Sequence, residues 1–265
     1  MGKLTGAVKF TGRVGDLVAY KRHDLEGIFV MQISGPSKEA IATKPAYART
    51  RRNISEFGGR GTSSHWIRQA MSPQLRLHDY NFTSELNKIA QPIQELDEVS
   101  AWGKRSVLFT KSNGIHNGFN LCEKTTFDSI VRNPVSFSVS KETLSASVHI
   151  PALLPGINFF VPLKVPMYKI TAALGIVPDL HHNGDKYAPV KGYKDPMPVA
   201  EAGTAWNAVL NGSVSETLEM KQTFQPPDEN FILLLSIGIR FGNMVTPGDV
   251  KQVKRGGAAK ILMTI

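Results

Sequence analysis

The side chains best equipped for chemistry crowd into "DLHHNGD", Asp179 to Asp185, where two imidazoles and two carboxylates stand within seven residues. Such groups ligate zinc and other transition metals. Their spacing matches no standard site, and Asn183-Gly184 is a favoured two-residue turn, so the stretch reads as a hairpin tip decorated with polar residues. Cys122 is the single cysteine, with His116 six residues before it and no glycine elbow around it, and it reads as a buried structural thiol. The glycine-rich pieces "GAVKFTGRVG" and "GGRGTSS" fit neither phosphate-binding glycine pattern. The acids of "ELDE", residues 95–98, read as the solvated end of a helix. The expectation is a non-enzyme with no catalytic residue, no cofactor and no metal.

A second concentration of chemistry is cationic. The chain carries a formal charge of +9, and residues 38–76 hold eight of its lysines and arginines against Glu39 and Glu56. "AYARTRRNISEFGGRGTSSHWIRQAM", residues 46–71, packs five arginines into a stretch with helical period. A nucleic-acid surface would use Lys44, Arg49, Arg51, Arg52 and Arg60, all present in sequence. At 100° per residue these arginines scatter around the helix rather than forming one stripe, and few aromatics are interleaved to stack bases. A solvated, salt-bridging side is the preferred reading, and nucleic acid the disfavoured alternative.

The elements that must position these groups follow from periodicity. "RVGDLVAYKR" and "GIFVMQIS" flank a polar loop ending in Gly27, which predicts a hairpin over residues 13–33 behind a glycine-punctuated extended arm. From Lys44 the period becomes 3.6, placing Tyr47, Ile54, Phe57, Gly58, Gly61, Ser64 and Met71 on one face, taken as the packed one. Gly58, Gly59 and Gly61 predict either close approach of another backbone or a break in the helix. "SELNKIAQPIQELDE" predicts a further helix kinked or divided at Pro92, and "RSVLFTK" a strand. Beyond Pro134, "VSFSVS", "LSASVHI", "MYKITAALGIV", "ETLEMKQTF", "NFILLLSIGIRF" and "AAKILMTI" read as strands, the fifth apolar on both faces and so central. The expected fold is α+β: residues 1–133 form an arm, a β-hairpin and a small helical region, and residues 134–265 form an antiparallel β-sandwich.

The patterns "GRVGDLVAYKR...GIFVMQ", "TRRNISEFG", "SSHWIRQAM" and "HIPALLPGINFFVPL" resemble uncharacterised proteins of Bacteroidetes over most of the chain. That resemblance implies a bacterial or phage-related setting, and a helical amino-terminal part ahead of a β-rich carboxy-terminal part. It supplies no activity and no binding residue.

The functional expectation is a structural or assembly protein. An exposed strand is a template for pairing with a neighbouring chain, so the arm is expected to join copies through Lys3, Leu4, Val8, Phe10, Val14, Leu17 and Val18, giving a homo-oligomer. A third class is a carbohydrate or small-molecule binder on the sandwich loops near Tyr187, Tyr193 and Trp206. The opening residues lack a long apolar core after Lys3, and no run approaches the ~20 apolar residues of a membrane span. With a lone cysteine, a cytoplasmic location and no membrane partner are expected.

Overall fold

The computed structural model describes residues 2–5, 10–22, 25–33, 35–246 and 248–265. It is an α+β fold with an amino-terminal strand region, a central helical segment and a carboxy-terminal region of antiparallel sheets. Its compact units are Met1–Arg51 and Arg52–Ile265. The reason lies in the core, where Trp66, Ile67, Leu86, Phe109 and Phe127 join one cluster with the apolar residues of the later strands.

The first unit contains a four-stranded antiparallel sheet of β1 (Gly2–Lys3), β2 (Gly12–Val14), β3 (Leu17–Lys21) and β4 (Ile28–Gln32), in the order β1-β4-β3-β2. The expected hairpin is present, with Leu17 opposite Gln32 and Lys21 opposite Ile28. What was expected as an extended arm is instead built into this sheet, because Gly2 and Lys3 pair with Val30 and Phe29 and Val14 pairs with Leu17. The sequence "RVGDLV" turns sharply at Gly15-Asp16, where Gly15 has φ 57°, a conformation glycine takes without steric cost. Val8 lies outside the described residues. A short helix α1 (Lys38–Thr43), capped by the Ser37 side chain, completes the unit's regular structure together with a 3-10 turn at Pro45–Tyr47.

Helix α2 (Ala48–Ala70) runs unbroken through its three glycines. Close approach of another backbone, the other expected outcome, is not found either: a Cβ on Gly59 would lie 2.8 Å from the Tyr187 ring, a side chain, while at Gly58 and Gly61 it would meet nothing within 4 Å. Of the face expected to pack, Ser64 and Met71 are buried but Ile54 and Phe57 are not. Glu56, Gly59, Ser63, Ser64, Trp66, Ile67 and Ala70 are buried, and Ile54 and Phe57 are exposed. A 3-10 turn at Ser72–Leu77 follows, then α3 (Thr83–Glu95), which Pro92 does not divide because the helix ends one turn later. "RSVLFTK" is no strand; Val107 makes a single bridge to Leu180, and a 3-10 turn begins at Phe109. Helix α4 (Phe127–Ile130) is capped by Thr126.

The strands that follow are β5 (Ser136–Ser140), β6 (Ser145–Ile150), β7 (Met167–Pro178), β8 (His181–His182), β9 (Tyr187–Ala188), β10 (Ala200–Gly203), β11 (Asn207–Ala208), β12 (Glu216–Lys221), β13 (Phe231–Thr246) and β14 (Asp249–Thr264). The main sheet runs β10-β7-β13-β14, with β11 also on β7, and a second sheet runs β12-β6-β5. Strand β12 lies against β10 and β7, bringing Val148, Ile150, Leu218 and Met220 into the common core. On the central strands, Gly175 sits against the Ala70 backbone and Gly238 against Gln74 and Leu77, so the helical segment packs where side chains are missing. Near-complete burial of β7 and of β13 up to Gly242 follows from this cover.

Candidate functional site

The amino-terminal sheet gathers most of the residues expected to join copies. Directly opposed residues of an antiparallel pair share a face. Val18 and Met31 are opposed, as are Tyr20 and Phe29, and the alternation of side chains puts all four on one face. Val14 and Leu17 are opposed on the other face, with Ala19 and Val30. An antiparallel sheet of a soluble domain commonly keeps one apolar and one polar face. This one is apolar on both. Val14 is 60% exposed, and Leu17, Met31 and Ile33 are exposed as well. Lys3 lies on the open edge strand β1, and Leu4 follows it with its amide bonded to the Ile28 carbonyl. Phe10 precedes β2, the other edge, and is half-buried.

The cationic residues do not assemble into a surface. Arg51 Nη1 donates to the carbonyls of Ile41 (2.7 Å) and Lys44 (2.9 Å), closing the carboxy-terminal end of α1. The Arg52 guanidinium lies 5.3 Å from the centre of the Trp102 ring. Arg60 donates to Gln94 and Gln91 of α3 at 3.0 and 3.1 Å. Lys44 and Arg49 are exposed. Arg51, Arg52 and Arg60 thus have work inside the chain.

The "DLHHNGD" segment is a hairpin, as its Asn-Gly pair implied, with β8 paired to β9 and Gly184 at φ 101°. His181 Nδ1 lies 3.2 Å from Ser106 Oγ, and His182 Nδ1 accepts from the Gly184 amide. Asp179 turns inward. Burial pushes its carboxyl above the usual range although the Thr110 hydroxyl (2.5 Å) and amide (3.1 Å) both donate to it. Among the described residues, no three His, Cys, Asp or Glu side chains come together as a metal site. Cys122 is buried, its Sγ 3.0 Å from the Leu77 carbonyl, and burial pushes the thiol up to about 11, which keeps it protonated and unreactive at neutral pH.

The three aromatics proposed for a ligand are not brought together. Tyr187 covers Gly59 and accepts from Gln94, the Tyr193 hydroxyl donates to Asp228 at 2.8 Å, and Trp206 packs on Gly242.

Sequence reading missed the polar interior beside α2. Glu56, 2% exposed, accepts two hydrogen bonds of 2.7 Å from Arg105 and one from the Gly103 amide. Burial pushes this carboxyl up, but these donors outweigh it and hold the group below its usual range. Asp97 behaves alike, burial being overcome by the amides of Ser106 and Ser100. His65 and Asp195, 130 residues apart, form an exposed pair at 3.3 Å. No local signal joins such partners in sequence. No helix among the described residues is long and apolar enough to cross a membrane. No protein-family model, no characterised protein and no solved structure matches this chain, so the geometry above carries the functional reading by itself.

Proposed function

We propose that the protein is a non-enzymatic structural subunit that associates with copies of itself through its amino-terminal sheet. One observation carries this reading: the sheet has apolar side chains on both faces, with Val14, Leu17 and Met31 in contact with solvent, and two short open edges in β1 and β2. Water-exposed apolar area gains about 25 cal/mol for each Å² covered, and an unpaired edge supplies backbone donors and acceptors to a neighbour. A second copy provides both. The bacterial or phage-related setting belongs to the same reading and is supported by the sequence resemblance. A cytoplasmic location is supported by the lone, buried, free cysteine.

The test is mass by light scattering across a concentration series, for the full chain, for a chain lacking residues 1–14, and for Leu17→Asn/Met31→Asn. Among the described residues, none before Trp66 belongs to the main core cluster, so these changes leave that core intact. The full chain is expected above the monomer mass of 29.1 kDa and both variants below the full chain. A full chain that stays monomeric at every concentration, or variants of unchanged mass, contradict the proposal.

A further inference from the structure

Strand β14 is interrupted along its ladder with β13. Arg240 is opposite Gly257 and Gly242 is opposite Gln252, so Phe241 alone faces the four residues 253–256. Bulges of this kind re-aim side chains and are over-represented beside functional sites. Within this one Arg255 has φ 54°, and among the described residues Leu144 is the other non-glycine with positive φ. That backbone carries a strain for arginine which glycine would not feel.

The bulge brings Arg255 to the wall of a cavity of about 260 Å³ that Arg68 of α2 also lines. The Arg68 guanidinium lies 5.9 Å from the centre of the Phe82 ring, and its Nη1 is 3.5 Å from the Thr83 hydroxyl, at the outer limit of a hydrogen bond. Phe82 and Thr83 are themselves walls of the cavity, so this charged head is held there with its donors almost unused. The Arg255 guanidinium has no hydrogen bond, ion pair or ring contact with any described residue. His78, whose Nδ1 faces the Leu75 carbonyl, forms a further wall.

One acid lines the same space. It is Asp79, and its two oxygens accept from the main-chain amides of Glu123 (2.8 Å) and Lys124 (3.0 Å). Two guanidinium groups thus share a cavity with one carboxylate already committed elsewhere. A carboxylate ligand has two oxygens, fewer than two arginine forks and a hydroxyl can engage; a phosphate monoester has three and a charge of about −2 at neutral pH.

We propose that this cavity binds a phosphate group, free or as a small monoester, between Arg68 and Arg255 with the Thr83 hydroxyl as a further donor. Every residue of the site lies in the second compact unit, so the assignment does not depend on self-association through the amino-terminal sheet.

Thermal melting of the full chain at one protein concentration tests it, in about 10 mM inorganic phosphate or glycerol phosphate against sodium chloride of equal ionic strength. The melting temperature is expected to rise by at least about 2 °C, and the probe that shifts it more identifies the free anion or the ester. Arg68→Gln and Arg255→Gly are each expected to lose most of that gain. Both positions are exposed, and glycine accepts φ 54°, so folding is not at stake. Lys254→Gln, an exposed neighbour on the bulge that does not line the cavity, is expected to keep the gain. A native chain that melts alike in phosphate and chloride, an Arg255→Gly chain with the full gain, or a Lys254→Gln chain that loses as much as the arginine variants overturns the proposal.

Discussion

His116 is the residue whose environment departs furthest from its sequence setting. It sits in a turn-rich segment between Asn113-Gly114 and Asn117-Gly118, yet it is 1% exposed, 5.9 Å from the Phe109 ring, and neither ring nitrogen has a hydrogen-bond partner. Burial lowers its pKa from 6.5 to about 4. The unfolded chain therefore binds a proton that the folded chain refuses, and stability falls as pH drops from about 6.5 to about 4, by roughly 3 kcal/mol in total. Glu56 and Asp97 act at lower pH, since their folded values lie below the ordinary ones; the stability they contribute is present above about 4.5 and is lost as the medium becomes more acidic. Thermal melting of the native chain from pH 7 to pH 3 should show both limbs. His116→Phe should flatten the first and keep the second. A His116→Phe chain with the native slope between pH 6.5 and 4 assigns the loss to another group.

At the scale of elements, the glycines of α2 separate two physical roles within four residues. Gly59→Ala forces a methyl against the buried Tyr187 ring, and overpacking of this kind costs about 1–3 kcal/mol. Gly58→Ala and Gly61→Ala meet open space and should stabilise by roughly 0.5–1 kcal/mol each through helix propensity. Denaturant titration reads both signs; a Gly59→Ala chain as stable as Gly58→Ala contradicts the packing described.

The same helix shows what a sequence does and does not disclose. Strands β6, β7 and β13 were legible because alternation, or a continuous apolar run, records one or two buried faces directly. The β3–β4 hairpin was legible from two apolar runs around a loop ending in Gly27. In α2 the apolar pattern placed Ile54 and Phe57 inside, whereas the buried side is made from Glu56, Ser63 and Ser64 as well as Trp66 and Ile67, and is satisfied by Arg105 and Asn87 from distant segments. Strand β10, "AEAG", alternates only through two alanines over four residues, too short a signal to read, and takes its ladder from β7. The residues proposed for self-association read in sequence as a free arm; their apolar character is readable there, while their closure into a sheet depends on the turn at Gly15-Asp16 inside what reads as one strand.

For the whole molecule, the charge of +9 favours polyanions at long range, but Arg51, Arg52 and Arg60 of α2 are spent on α1, on Trp102 and on α3. Apolar groups stay open to solvent as well: Val14, Leu17 and Met31 of the amino-terminal sheet, and Ile54 and Phe57 on α2. Copy-to-copy contact through that sheet is therefore the central claim, and hydrogen exchange at rising protein concentration tests it most directly. Amides of residues 2–33 are expected to gain protection as concentration rises, while those of β7 and β13, already enclosed in the core, keep theirs; exchange over residues 2–33 that is identical at every concentration contradicts the account.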